Sequence, residues 1–457
     1  MSLIDQAVIE SSTETLKGAV VSKYFLQCSL CGRRFTDDGL LLSACDGHPP
    51  ALLRTVYAKS ILEPGPDSRG LFKFSDWMPV RRLLHGSSPP VTYRSEGLAA
   101  SLGLRNLFIT FNGFWPERGA LFGTCTFKEL EAYAVCARLP HNFQDVLVVA
   151  SAGNTARAFA RVCSDNGIRL LLVVPSESVP MLWHTGEIAD CVKIVAAEKC
   201  DYADAITLAD LICTHAGFVP EGGAKNVARR DGLGTTVLSA VTAIGRIPDE
   251  YFQAVGSGTG AIAAWEENER LVNSVVFGNK SMRLNVSQNF PFAPICESWD
   301  RRSRELMYAP INARSDLERV YTRVLANRQP PYGIIGGLYD ALVASAGTAL
   351  SITNDEARAA AGLFLATEGI DIDPAAAVAV ASLVRCARDG AVRKEALIML
   401  NVTGGGMDRL RQEQKIGFLK ANAVVAKSEF NRDRVMEIVQ PIIPLPATPR
   451  RDSDLCG

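Results

Sequence analysis

"DVLVVASAGNTARAFARVCSDNGIRLLLVVP", residues 145–175, changes its hydrophobic period twice. The first run, 145–150, is apolar almost throughout, as a strand covered on both faces must be. A helical pattern then begins at Asn154 and closes at Gly167, and "IRLLLVVP" (168–175) is again apolar. Strand, helix and strand in this order predict a parallel sheet. The turn between the first strand and the helix reads Ser151-Ala152-Gly153-Asn154, a hydroxyl, a glycine and an amide at a helix mouth. In open parallel sheets ligands bind beyond the carboxyl ends of the strands, where helix N-termini offer free N–H groups and partial positive charge.

The alternation continues in both directions. "CVKIVAA" (191–197) predicts a strand and "DYADAITLADLICTHAG" (201–217) an amphipathic helix. "YFQAVGSGTGAIAAWEENERL" (251–271) and "ALIMLNVTGGGMDRLRQE" (396–413) repeat the strand, glycine turn and helix. The fold class is therefore α/β. At 457 residues the chain exceeds one compact core. Hydrophobic residues make up 47% and charged residues 21%, which points to a packed soluble enzyme. A net charge of −1 supplies no basic stripe for a nucleic acid. The N-terminal stretch has no signal-peptide pattern, and the longest apolar run, "PAAAVAVASLV" (374–384), is too short to span a bilayer. Most of the twelve cysteines sit in apolar segments, as at Cys136, Cys163, Cys213 and Cys386. That pattern suits a reduced, cytoplasmic protein.

Cys28-Ser-Leu-Cys31 and Cys45-Asp-Gly-His48 have the spacing of a Cys3His zinc ribbon. A metal-free knuckle with ordinary turn chemistry explains the same residues. A zinc ion bound there would be structural, because all four ligands would be consumed.

Three further stretches carry candidate chemistry. In "GSGTG" (256–260) the backbone can wrap an anion, with Ser257 and Thr259 adding hydroxyls. The same stretch partly fits a dinucleotide fingerprint through Gly256, Gly258 and Ala261. The acidic residue that should follow is missing, however, and the next strand carries Gln288 instead. No P-loop motif is present. In "TCTFKELEA" (124–132), Thr126 and Glu129 fit a capping box, and Lys128 in the first turn is a candidate Schiff-base former. "LNVTGGG" (400–406) ends an apolar strand with Thr403 and three glycines. "VPEGGAKNVARRDGLGT" (219–235) places Lys225, Arg229 and Arg230 near glycines, where a solvated basic face is an equally good account.

Taken together these stretches resemble the fold-type II pyridoxal-phosphate enzymes, the group of tryptophan synthase β, cysteine synthase and threonine synthase. "TCTFKEL" looks like that group's cofactor-lysine motif, "SAGNT" its substrate loop, "GSGTG" its phosphate cup, "EGIDIDPAAAVAVASL" (368–383) and "TGGGMDRL" its later signatures. Within the group the likeness is strongest to the cysteate synthases. A threonine synthase pattern is disfavoured, because "FITFNGFWPERGALFGTCTFKEL" lacks that enzyme's N-P-T-G and carries Phe114-Trp115.

The resemblance implies two interleaved domains with the cofactor in the cleft: 51–129 with 250–425 as the large domain, and 130–249 as the small one. A ribbon-like knuckle at 23–50, a flexible arm at 1–22 and a proline-rich tail at 426–457 complete the expected organisation. It also implies β-replacement of the phosphate of O-phospho-L-serine by sulfite, giving L-cysteate through an aminoacrylate. Lys128 then holds pyridoxal 5'-phosphate, Asn154 contacts its ring oxygen, Gly256, Ser257, Gly258, Thr259 and Gly260 hold its phosphate, and Thr403 faces its ring nitrogen. Ser151, Gly153 and Thr155 bind the substrate carboxylate, and Arg118, Arg229 and Arg230 are the candidates for the substrate's anionic groups. The partners are an amino acid and an inorganic anion, with neither nucleic acid nor membrane, and the family habit is a homodimer. Another nucleophile, threonine synthase or dehydratase chemistry, a Rossmann-type oxidoreductase and a cofactor-free binding module are the alternatives. The last needs none of Lys128, Asn154 and Thr403.

Overall fold

A computed structural model describes residues 23–43, 47–151, 153–308 and 310–445, with backbone alone at 15–16, 19–20 and 310–314. Most of the expected arm, Cys45, and the last twelve residues lie outside the described residues. The chain divides into two units, Met1–His141 with Gly222–Ile416, and Asn142–Glu221 with Gly417–Gly457.

The first unit is built on a six-stranded sheet, in the order Thr348–Ile352, Arg283–Asn289, Glu250–Ala254, Leu397–Val402, Asn106–Phe111 and Val91–Arg94. All neighbours are parallel except Val91–Arg94, which closes the edge antiparallel to Asn106–Phe111. Leu397–Val402 is buried at every position, so it reads as a continuous apolar run. Ile109, Phe111, Phe252, Ala254, Ile398, Leu400 and Val402 pack with helix Pro374–Arg388 in one core. The alternate spacing of those side chains is the two-residue period of a pleated strand. The apolar run that begins at Pro374 is therefore a buried core helix. Among the described residues no helix is long and apolar enough to cross a membrane.

Helix Val227–Ile244 runs against Lys128–Arg138 at close range, because a Cβ on Gly232 would lie 2.5 Å from Leu130 O. That packing places both helices in the first unit, which corrects the expected small domain of 130–249 to 142–221. The N-terminal ribbon is a three-stranded antiparallel sheet, Arg34–Phe35, Tyr24–Cys28 and Leu53–Tyr57, so it extends past the expected boundary at residue 50.

The second unit holds a five-stranded, wholly parallel sheet in the order Phe218–Pro220, Val146–Ala150, Leu170–Pro175, Val192–Glu198 and Ala423–Ala426. The last strand and helix Arg432–Val439 correct the expected tail. Val425, Val435, Met436, Val439 and Ile443 are buried in this unit's core. A four-residue strand followed by prolines carries little periodic signal, which is why the segment reads as a tail.

Burial pushes Cys213 and Cys296 up to about 12, so these behave as small hydrophobes.

Candidate active site

The turn that presents Lys128 is made by backbone pairing across the length of the chain. Lys128 opens helix Lys128–Arg138, and the residues before it run beside the glycines after Leu397–Val402. Phe127 N donates to Thr403 O at 2.9 Å, Gly405 N donates to Cys125 O at 3.1 Å, and Thr126 and Gly404 form an antiparallel bridge. On the other side Asp373 N donates to Gly404 O at 3.1 Å. At Gly406 φ is 75°, and a Cβ there would fall 1.8 Å from Phe114 O. The three glycines are required because other chain segments pass directly against them. Cys125 holds φ 53°, a left-handed conformation uncommon outside glycine, at the point where these segments meet.

The expected Thr126–Glu129 capping box does not form. Phe127 takes the cap position, Glu129 turns back to accept from Thr124 Oγ1 at 2.7 Å, and Lys128 N reaches Thr126 Oγ1 only at 3.5 Å. The Lys128 ammonium donates instead to Glu131 Oε2 at 3.1 Å. Glu131 is fully buried and also receives Arg229, through Nε at 3.0 Å and NH2 at 2.6 Å.

The glycine cup leaves the adjacent strand. Glu250 lies opposite Ile398 and Phe252 opposite Leu400, so Gly256–Gly260 emerges beside Thr403 at the same edge of the sheet. Gly258 has φ 83° and caps helix Thr259–Ser274, whose first-turn N–H groups have no partner within the helix. Cβ atoms at Gly258 and Gly260 would fall 2.7 Å from Leu338 Cδ2 and 2.5 Å from Gln253 Nε2. Ser257 Oγ and Thr259 Oγ1 are 2.8 Å apart. Beneath the cup, Asn401 Nδ2 donates to Tyr251 Oη and Gln253 Oε1, both at 3.0 Å, and Asn112 Nδ2 donates to Asn401 Oδ1 at 2.8 Å. This buried polar layer braces both turns from below.

In the second unit, Ser151 follows strand Val146–Ala150 and Asn154 is the first residue of helix Asn154–Asp165. Ser151 Oγ accepts from Gly153 N at 3.2 Å and Ala156 N at 3.1 Å, which braces the turn and leaves its O–H as a donor. Ser151 and Thr155 are buried, while Asn154 is half-buried.

The three arginines separate clearly. Arg230 is fully buried: its Nε meets both oxygens of Glu266 at 3.1 and 3.0 Å, and its other nitrogens donate to Ala224 O and Leu53 O. It has no edge left for a substrate, which removes it as an anion-binding candidate. Arg229 is committed to Glu131. Arg118 is exposed, stacked 4.1 Å over Tyr93 and 4.6 Å over Trp115, and among the described residues no carboxylate pairs with it.

The pyridoxal-phosphate dependent enzyme family model matches residues 93–404, a span that contains the lysine turn, the SAGN turn, the cup and Thr403. The chain belongs to the pyridoxal-phosphate-dependent enzyme family. It is 48% identical over 393 residues to the cysteate synthase of Methanoculleus marisnigri, covering 86% of this chain and 90% of that one. To the cysteate synthase of Methanosarcina mazei it is 43% identical over 418 residues, covering 91% and 100%. Within the pyridoxal-phosphate enzymes it therefore belongs with the cysteate synthases. Its fold is also similar to that of maize serine racemase, with TM-score 0.51 and 15% identity over 71% of this chain and 90% of that chain.

Family membership overturns the oxidoreductase alternative, and Gln288 shows why the fingerprint misleads. Its Oε1 accepts from Ile295 N at 2.8 Å and Cys296 N at 3.3 Å, capping a helix within the unit where a ribose-binding carboxylate would stand. The donor set otherwise suits the family's cofactor: an amine, a hydroxyl on a neighbouring strand end, and a cup of glycines with two hydroxyls. Glu131, Asn112, Gln253 and Asn401 were not apparent as site residues from the sequence. Glu131 had a signal, since a carboxylate three positions after a helical lysine shares its face. The other three are polar residues at strand ends, visible only once the strands are paired. In the ribbon, Cys28, Cys31 and His48 come together with their ligand atoms within 4.8 Å of one another, while Cys45 lies outside the described residues.

Proposed function

We propose that this chain converts O-phospho-L-serine and sulfite to L-cysteate and phosphate. The observation that carries the reading is the pairing of residues 125–127 with 403–405, which joins the Lys128 turn to Thr403 beside the cup, in a chain of the cysteate synthase family. Pyridoxal phosphate, when bound, supplies an electron sink for the pair released at Cα.

The chain's own groups do the rest. Gly256–Gly260 and the helix behind them hold the cofactor's phosphate on backbone N–H groups, aided by Ser257 and Thr259. Lys128 would anchor the cofactor through its Nζ, and the same amine, when free, would take the substrate's Cα proton. The C–O bond at Cβ breaks, phosphate leaves with that electron pair, and sulfite forms the new C–S bond through its sulfur lone pair. Lys128 then returns a proton to Cα. Thr403 would offer the cofactor's ring nitrogen a neutral hydroxyl, a partner that suits replacement at Cβ over amino-group transfer. Asn154 would take the cofactor's ring oxygen, and Ser151, Gly153 and Thr155 would take the substrate carboxylate at a helix N-terminus. Arg118 is the anion-binding arginine this reading retains, because its guanidinium is exposed and, among the described residues, no carboxylate pairs with it. Arg229 acts through Glu131 on Lys128. A cytoplasmic homodimer belongs to the same reading.

The test is to follow the visible absorbance of the holoenzyme on adding O-phospho-L-serine and then sulfite, with product identification by mass spectrometry. Substrate-dependent spectral change, reversed by sulfite with release of cysteate, supports the reading. A spectrum that ignores O-phosphoserine, or release of pyruvate with no cysteate when sulfite is present, sinks it.

A further inference from the structure

We propose that Cys28, Cys31 and His48 hold a zinc ion, and that this metal sets the turn against which the cofactor-phosphate loop is packed. The site lies on the antiparallel ribbon, away from the residues assigned to the reaction, and the metal part stands independently of the reaction proposed above.

The local geometry is that of a metal knuckle. Gly32 N donates to Cys28 O at 3.0 Å, and Gly32 follows Cys31 at φ 71°, a conformation that turns the chain back just after the second thiol without a Cβ penalty. Cys28 Sγ stands 3.6 Å from His48 Nε2. A tetrahedral ion with Zn–S of about 2.3 Å and Zn–N of about 2.0–2.1 Å separates its sulfur and nitrogen ligands by about 3.6 Å. The imidazole is also oriented for the task. His48 Nδ1 lies 2.7 Å from Pro49 O, so that nitrogen carries the proton and Nε2 keeps its lone pair toward Cys28. A backbone carbonyl on the far ring nitrogen is the usual outer partner of a metal-bound histidine. Two thiols and one imidazole select zinc over the oxygen-seeking cations.

A continuous path leads from this knuckle to the cup within the first unit. Ser29, beside Cys28, donates its N–H to Leu52 O at 3.0 Å, and Leu52 N donates to Ile335 O at 2.9 Å. Ala51 and Ile335 form a parallel bridge. At Gly336, φ is 78° and a Cβ would fall 2.6 Å from Ser29 Oγ, so the knuckle and this turn are in direct contact. Two residues on, Leu338 covers Gly258, the helix-capping glycine of the cup, at 2.7 Å from where a Cβ would stand. Releasing the metal frees the Cys28–Gly32 turn, then the 335–338 segment, and with it one wall of the phosphate loop. Metal loss is thus expected to loosen the cofactor without touching a residue that contacts it.

The experiment uses the full-length holoenzyme, with metal content by plasma mass spectrometry and cofactor affinity by visible titration of the apo-protein. Cys31 is exposed, so Cys31→Ser alters the ligand set with little disturbance of packing. The expected result is about one zinc per chain in the wild type. Zinc should be lost in Cys31→Ser and in His48→Gln, with the pyridoxal phosphate Kd raised about tenfold or more, and re-metallation of chelated wild type should restore it. Zinc-supplemented wild type that carries no metal, or a content unchanged in both variants, overturns the site. Metal that is lost while the Kd stays the same overturns its role as a support for the cup.

Discussion

Replacing Arg230 with Met asks whether this side chain serves the substrate or the fold. Its guanidinium is fully buried and spends its donors on Glu266, Ala224 O and Leu53 O, and Glu266 itself is 2% exposed. Methionine fills much of the volume but leaves a buried carboxylate without its main partner, with Arg54 Nε at 3.7 Å as partial relief. Breaking a buried ion pair from one side costs about 3–5 kcal/mol. That is roughly two to four orders of magnitude in the folding equilibrium at about 1.4 kcal/mol per tenfold. Urea unfolding of the holoenzyme should show this loss, while the surviving folded protein keeps its KM for O-phosphoserine. Converting Glu266 to Leu in the same chain removes the stranded charge and should recover most of the stability, because apolar replacement of both partners is often neutral. An Arg230→Met enzyme with an unchanged urea midpoint and a KM raised tenfold or more would refute the reasoning, and return Arg230 to the substrate site.

Lys128→Ala should abolish the cofactor's visible band and the reaction together, read by absorbance and product formation; a retained band places the cofactor elsewhere. Glu131→Gln removes the charge facing the Lys128 ammonium, so pyridoxal phosphate uptake by the apo-protein should speed up several-fold in stopped-flow absorbance, and slower uptake contradicts the assigned role. Gly406→Ala meets Phe114 O at 1.8 Å with φ 75° and should cost more than about 3 kcal/mol in thermal or urea unfolding. Gly362→Ala is its control: it lies in helix Asn354–Glu368 with nothing within 4 Å of the added carbon, and should stabilise by about 0.5–1 kcal/mol. Burial pushes Glu267 up from 4.5 to about 8, so between those values the native state holds more protons than the unfolded one. Stability should therefore fall as pH rises through that window and level off above it. Glu267→Gln should flatten the slope in urea titrations run from pH 5 to 9.

The layout of the sheets was largely legible, because buried parallel strands announce themselves as unbroken apolar runs and the glycine turns mark where they end. The glycine turns after Val146–Ala150, Glu250–Ala254 and Leu397–Val402 could each be located on that basis. The pairing of the Lys128 turn with the Thr403 segment could not. The link between Phe127 and Thr403 is a backbone hydrogen bond between distant segments, and no local pattern encodes it. Arg229 and Arg230 are adjacent letters, yet successive helical residues point about 100° apart, so one meets Glu131 and the other Glu266. Glu129 was assigned by spacing to Thr126 and went to Thr124, since a cap depends on where the helix begins and not on the motif alone. The domain boundary moved because helices Lys128–Arg138 and Val227–Ile244 bury their small-residue faces against each other, a preference that hydrophobic periodicity does not reveal.

The position of Leu397–Val402 bears on how the chain can be made. It is the strand that joins Asn106–Phe111 to Glu250–Ala254, yet it is made after the other five strands of that sheet. Until then the first unit has two half-sheets with open edges, and the second still lacks Ala423–Ala426 at its border. Unpaired apolar strand edges invite pairing with other chains, and closure of such distant contacts is slow. Both main sheets therefore stay incomplete until these segments have been made, and a chain released near residue 390 has finished neither of them. Yield in a foreign host should thus depend on chaperones that shield those edges during translation, more than on the final stability of the enzyme.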